Sequence, residues 1–261
     1  MKIGFIGAGN MGSALAKAAA RNAEIYIYDI DTEKAEALAK SIEGKLSTVS
    51  EMTAVCDYLF IAVKPNFVKD VMAGVGTAEI KCGLTLVSMA AGVSLNSLDA
   101  MTNKDIPVIR IMPNTPVAVG KGVVLTAGNA FVSDEKLLEF KSVMSAAGDI
   151  EIIDEALIDA GTALSGCSPA FVYMFIDALA CGANEAGLEK SEALKFAAKT
   201  LIGAATLLLE SGKAPEELRD AVCSKGGSTI EGVKSLFADG FDETVKRAVL
   251  ASYKRTLELG K

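Results

Sequence analysis

Two short stretches hold residues whose types and spacing could do chemistry, and they lie near opposite ends of the chain. Near the start, "KIGFIGAGNMGSALAKAAA" sets Gly7, Gly9 and Gly12 in the spacing GxGxxG, and Asp29 follows 22 positions after Gly7 in "EIYIYDID". Such glycines suit a dinucleotide. The first permits a sharp turn, the second lets backbone approach a pyrophosphate, and the third lets helix and strand pack closely. A helix N-terminus offers unpaired N–H groups and positive dipole to the phosphates, and an acidic residue such as Asp29 accepts hydrogen bonds from the adenosine ribose. Near the end, "CSKGGSTIEG" (223–232) places Gly226 and Gly227 before Ser228, Thr229 and Glu231. The sequence contains no histidine. That removes imidazole acid–base catalysis, Ser–His and Cys–His nucleophiles and nearly all zinc chemistry. Any reaction must run on a cofactor, or on Lys, carboxylates, hydroxyls and backbone groups.

The elements around the first motif support the dinucleotide reading. A lone GxGxxG can be a plain glycine turn, but here strand, turn, Ala-rich helix, second strand and acidic terminus occur in register. Asp29 would repel a 2′-phosphate, which favours NADH over NADPH, although Asp31 or nearby Lys34 could alter that preference. Further strand-like runs follow: "YLFIAV" (58–63), "LTLVSMA" (84–90), "VIRIM" (108–112) and "GVVLTA" (122–127). Helical stretches such as Thr32 to Ser41 and Asn66 to Gly74 lie between several of them. Alternating βα units predict a largely parallel, doubly wound sheet, with ligands beyond the C-terminal ends of its strands. Those ends carry "AVKP" (62–65), "MAAG" (89–92) and "MPNTP" (112–116), where small residues and prolines suit a loop beneath a flat nicotinamide ring. Lys64 reads equally as a cofactor or substrate contact and as a surface lysine.

From about Asp154 strand runs disappear. Helices are predicted from Pro169 to Glu185, from Ser191 to Ser211, over "APEELRDAVC", over 229–237 and over 242–259. The first two are apolar on more than one face, with Phe171, Phe175, Ile176 and Leu179 among their residues. A helix apolar on most sides needs neighbours on most sides. A dimer with intertwined helices supplies them; a tight monomeric bundle is the alternative. The expected organisation is therefore a Rossmann dinucleotide-binding domain over 1–154 and an all-α dimerisation and substrate domain over 155–261. In the last helical region Ser228 and Glu231 fit a capping box, with Ser228 at N-cap and Glu231 at N3. "STIE" alone reads as an ordinary well-capped helix; the preceding Gly226 and Gly227 clear space above the outward-pointing N–H groups and favour a cradle the size of a carboxylate, with the Thr229 hydroxyl at its rim.

Composition narrows the function classes. The 261 residues are 51% hydrophobic and 23% charged, with net charge −7. This is a globular composition, and the acidic balance disfavours a general nucleic-acid or anionic-membrane binder. Cys56, Cys82, Cys167, Cys181 and Cys223 are odd in number and contain no CxxC pair, which fits reduced thiols better than a disulfide scaffold. No signal-peptide pattern opens the chain. The most apolar segment, Phe171 to Ala183, carries Asp177 and is too short to span a bilayer. A soluble, cytoplasmic protein is expected.

The sequence resembles the pyrroline-5-carboxylate reductases nearly end to end, through "GFIGAGNMG", "AVKP", "MAAGVSL", "RIMPNTP", "TALSGCSPAFVYMFIDAL", "LLLESG" and "VCSKGGSTIEG". The resemblance implies a Rossmann domain followed by a helical dimerisation domain, with substrate at the subunit interface and a homodimer or a ring of dimers. Ile6, Gly7, Ala8, Gly9, Asn10, Met11 and Gly12 would line the pyrophosphate, with Asp29 by the ribose. Ala62, Val63 and Lys64, and Met89, Ala90 and Ala91, would flank the ribose and nicotinamide. Glu155 would lie near the cofactor by the same analogy. Gly226, Gly227, Ser228 and Thr229 would hold the substrate carboxylate through backbone N–H groups, with the Thr229 hydroxyl meeting the ring nitrogen. Lys225, Cys167 and Ser168 depart from the family's usual proline, serine and glycine.

The reaction so implied is hydride transfer from NADH or NADPH to the C=N carbon of 1-pyrroline-5-carboxylate, giving L-proline. A protonated cyclic imine accepts hydride without a simultaneous proton donor, which makes the missing histidine intelligible. The rival readings are an imine or ketone reductase with another substrate, and a non-catalytic NAD(H)-binding sensor or scaffold. No metal site is expected.

Overall fold

A computed structural model describes residues 1–102 and 105–259 of the chain. The chain divides into two compact units, one comprising Met1–Cys167 with the residues from Ser252 onward, the other Ser168–Ala251.

The first unit opens with β1 (Lys2–Ile6), α1 (Asn10–Ala19), β2 (Glu24–Tyr28), α2 (Thr32–Ile42), β3 (Lys45–Leu46), α3 (Val49–Val55) and β4 (Tyr58–Ile61). It continues through α4 (Pro65–Thr77), β5 (Thr85–Ser88), α5 (Leu95–Thr102), β6 (Val108–Pro113) and β7 (Gly122–Gly128). It then adds α6 (Asp134–Val143), β8 (Gly148–Ile152) and α7 (Glu155–Gly161). The strands form one sheet in the order β3-β2-β1-β4-β5-β6-β7-β8. Pairing is parallel throughout except between β6 and β7. Strand order reverses between β1 and β4, and that switch point is where an open α/β sheet binds its ligand.

Burial explains why the central runs become strands. All residues of β4, β5 and β6 are buried, as continuous apolar runs covered on both faces must be. Phe5 stacks on Phe60 with ring centroids 4.4 Å apart, and Phe60 meets Phe140 of α6 at 6.1 Å. β4 and β5 are shorter than the apolar runs containing them, because Ala62 and Met89 have already left the sheet for the loops at its ligand edge.

The second unit contains α8 (Ser168–Glu185), α9 (Lys190–Ser211), α10 (Pro215–Ala221), α11 (Ser228–Ala238) and the first part of α12 (Phe241–Leu259). Helical backbone runs on from Glu155 to Glu185 over 31 residues, through a π-helical turn at Thr162–Gly166. The apolar segment read as too short to cross a bilayer thus belongs to a helix that passes that test by length and composition. Pro169 is the second residue of α8, where its missing N–H does no harm. α8 and α9 leave Tyr173 61%, Met174 72%, Ile202 68% and Leu209 84% exposed in the single chain.

Candidate active site

β1 ends at Ile6, and Gly7 turns the chain with φ +111°, a conformation L side chains rarely adopt. A Cβ on Gly7 would stand 2.4 Å from the carbonyl oxygen of Ala62, so the β1 and β4 turns are in backbone contact. Gly9 is the N-cap of α1 with extended backbone and no side-chain cap. A Cβ there would meet nothing within 4 Å. Ser13 N–H donates to the Gly9 carbonyl at 2.8 Å, which leaves the N–H groups of Asn10, Met11 and Gly12 without helical partners. Free donors below open space fit a pyrophosphate.

Asp29 lies at the tip of β2. One carboxylate oxygen accepts the Ala8 N–H at 2.6 Å and the other the Asp31 N–H at 2.9 Å. The aspartate is thus fixed against the glycine turn with lone pairs to spare for a ribose. A cavity of about 260 Å³ opens beside it, lined by Ile6, Gly7, Tyr28, Asp29, Val63, Phe67 and Val71 among others. Its largely apolar wall suits a flat heterocycle. Asp31 caps α2 by accepting the Lys34 N–H, and its carboxylate meets Lys34 Nζ at 2.7 Å. The Lys34 side chain and N–H hold the Asp31 carboxyl below its ordinary value, and Asp31 in turn raises the Lys34 ammonium.

Beyond β4, Ala62 and Val63 are half-buried, and Lys64 is an exposed N-cap of α4 preceding Pro65 at N1. Beyond β5, Met89 and Ala91 are half-buried while Ala90 is 2% exposed. Gly92 has φ +76°, and the Val93 N–H closes the turn on the Ala90 carbonyl at 3.3 Å. Glu155 is the first residue of α7, whose N-cap is Asp154. Its Oε1 accepts the Leu95 N–H at 2.6 Å and Arg110 Nη1 at 3.2 Å. Arg110 Nη2 meets Asp159 Oδ1 at 2.9 Å.

The 223–232 segment corrects one expectation. The N-cap of α11 is Gly227, Ser228 is its first helical residue, and no side chain caps the helix. The expected capping box is absent, and Glu231 instead pairs with Lys234 at 2.7 Å. The cause is local. Gly226 adopts φ +74° and Gly227 an extended conformation, so the chain enters the helix one residue early. A Cβ on Gly227 would lie 2.4 Å from Ser224 Oγ. The Gly227 N–H is tied to the Ser224 carbonyl at 3.0 Å. The N–H groups of Ser228, Thr229 and Ile230 precede the first helical bond. Freed from capping, Ser228 and Thr229 keep their hydroxyls exposed, with Lys225 exposed alongside.

Arg110, Asp159 and Asn114 lie in no motif that marks them as functional, yet the structure ties each to its neighbours. Asn114 is 8% exposed, accepts the Val123 N–H at 2.9 Å and donates to the Ser165 carbonyl at 3.0 Å. The usable signal was an arginine inside the apolar run "VIRIM", since a buried cation requires partners.

Residues 155–259 match the family described as "Pyrroline-5-carboxylate reductase dimerisation", and residues 2–92 that described as "NADP oxidoreductase coenzyme F420-dependent". Over 266 residues the chain is 36% identical to pyrroline-5-carboxylate reductase of Escherichia coli (strain K12), covering 100% of this chain and 98% of that one. The Pisum sativum enzyme is 37% identical over 263 residues, covering 98% and 95%. The crystal structure of 1-pyrroline-5-carboxylate reductase from Streptococcus pyogenes matches with a TM-score of 0.88 at 31% identity, over 99% and 98% of the two chains. That of Plasmodium falciparum pyrroline carboxylate reductase with NADP bound also gives 0.88, at 28% identity over 100% and 98%.

The glycine cradle at the sheet's switch point and the helical dimerisation region define a nicotinamide-dependent oxidoreductase that works as a homo-oligomer. Within that class, the chain belongs to the pyrroline-5-carboxylate reductase family.

Proposed function

We propose that this protein reduces 1-pyrroline-5-carboxylate to L-proline, gripping the substrate carboxylate with the free backbone N–H groups of Ser228 and Thr229 at a helix entry shaped by Gly226 and Gly227. The observation that carries the site assignment is the uncapped start of α11: free N–H groups above a left-handed glycine, beside the exposed Thr229 hydroxyl. Such a cradle recognises a small anion.

When bound, a reduced nicotinamide supplies the hydride. The protein's own work is placement. Asn10, Met11 and Gly12 hold the pyrophosphate through N–H groups, and Asp29 accepts from the ribose. Ala62, Val63 and Lys64, with Met89, Ala90 and Ala91, shape the bed of the ring end. The imine enters protonated. Hydride adds to its carbon, the C=N π pair moves to nitrogen, and solvent later supplies the second ammonium proton. Thr229 holds a hydrogen bond to that nitrogen as its charge falls. Placement of two reactants accounts for much of the rate of such a transfer.

Three finer points belong to this reading. Asp29 favours NADH, because its carboxylate would face a 2′-phosphate. The dinucleotide-binding part spans 1–154 and the helical part 155–261, with helices from two subunits intertwined and rings of dimers as a further assembly. The protein acts in the cytoplasm. The test is a spectrophotometric assay with the imine and each reduced cofactor in turn, beside open-chain keto acids with amines. Oxidation of cofactor with the imine, faster with NADH, is expected. Oxidation only with keto acids would shift the reading to another reductase, and none with any substrate to a dinucleotide sensor.

A further inference from the structure

We propose that Glu155 is a positioning residue that fixes the Met89–Ser94 loop by capping α5, with Arg110 steering its carboxylate. This rests on the reading above, in which that loop beds the nicotinamide.

The loop's own bonds are weak. Within it the Ala90 N–H reaches Ser88 Oγ at 3.4 Å and the Val93 N–H the Ala90 carbonyl at 3.3 Å. At its far end Ser94 begins to cap α5, its Oγ accepting the Ser97 N–H at 3.2 Å and its carbonyl the Leu98 N–H at 3.0 Å. Ser94 leaves the Leu95 N–H over. Glu155 takes that donor at 2.6 Å, the shortest of these contacts, across 60 positions of sequence. A carboxylate at a helix N-terminus also meets the positive end of its dipole.

Arg110 holds the carboxylate in place. Its side chain is 5% exposed and bridges Glu155 and Asp159, both on α7. Arg110 also pairs in register with Ser88, the last residue of β5 before the loop. The loop is therefore anchored at its start by the β5–β6 ladder and at its end by Glu155, and Arg110 belongs to both anchors. Leu95 and Leu98 of α5 and Ile158 of α7 belong to the same buried cluster.

The test uses the full-length protein and two readouts: hydrogen exchange of peptides covering 89–98 without dinucleotide, and the split of KM for NADH against kcat. Glu155→Ala removes the acceptor and should raise exchange in 89–98 and KM for NADH about tenfold, with kcat changed less than about threefold. Glu155→Gln keeps an oxygen for the Leu95 N–H and should stay within about threefold of wild type in both. Should the alanine variant fail to fold, Glu155→Asp, one methylene short of reaching both partners, should show the alanine signature. Unchanged exchange with equal KM losses in the Ala and Gln variants would mean that the carboxylate touches a ligand directly, and would overturn the proposal. So would an alanine variant with both readouts at wild-type values. The exchange measurement needs no turnover, so it remains decisive if the reductase reading fails.

Discussion

A Cβ on Gly12 would stand 2.4 Å from the carbonyl oxygen of Gly7, and 3.0 Å from the Ala62 side chain. Gly9, three residues earlier in α1's entry, has nothing within 4 Å of its absent side chain. The two glycines therefore do different jobs, and substitution separates them. Gly12→Ala forces backbone apart and should cost about 1–3 kcal/mol of stability along with dinucleotide binding. Gly9→Ala should leave thermal unfolding unchanged and weaken dinucleotide binding about tenfold or more, because the methyl group fills the space a pyrophosphate needs. Thermal melts and a dinucleotide titration of the same two variants check both halves.

Thr229→Ala should lower kcat about tenfold to a hundredfold, the scale of losing one positioned hydroxyl at the reacting nitrogen. Thr229→Ser keeps the hydroxyl and should recover most of the rate. Unaltered steady-state kinetics in the alanine variant would remove Thr229 from the mechanism.

Asp29→Asn keeps one oxygen acceptor and removes the charge. The ratio of kcat/KM for NADPH to that for NADH should rise about tenfold. Part of the loss with NADH would come from the Ala8 and Asp31 N–H contacts that Asp29 now satisfies. A ratio that stays put would show that Asp29 does not set cofactor choice.

Away from the site, Asp57 ties β1 to the segment before β5. It accepts the Lys2 N–H at 2.8 Å and pairs with Lys81 Nζ. Burial pushes the Asp57 carboxyl up, but the Lys81 ammonium and the Lys2 N–H outweigh it and hold it below its ordinary value. A depressed carboxyl contributes stability at every pH above its unfolded value, near 4, and loses it as pH falls through the folded value. Asp57→Asn should therefore be less stable than wild type by about 1 kcal/mol at neutral pH, with the two converging in acid. Denaturant midpoints measured across pH 7 to 3 would reveal a constant gap if Asp57 were unlinked.

Much of this was legible in the sequence because burial and pattern agree. β4, β5 and β6 are buried along their whole lengths and read as unbroken apolar runs. The edges of the sheet were not legible. β3 has two exposed residues paired with β2, and in β8 only Ile150 is buried. Such strands are written by their neighbours' ladders, not by their own hydrophobicity. The helix that follows the glycine pair was legible, but its cap was not. Ser-x-x-Glu describes a tendency of side chains, and the left-handed Gly226 settled the matter first. The Arg110–Glu155–Leu95 contact spans distant segments, so no local window could contain it.

The uncovered leucines, isoleucine and aromatics of α8 and α9 carry one more consequence. A helix pair dressed this way would gain stability by burying these side chains against a second copy, so folding and association should be thermodynamically linked. The midpoint of heat unfolding should climb with protein concentration, and simple dilution should inactivate a preparation in which every individual residue is still intact.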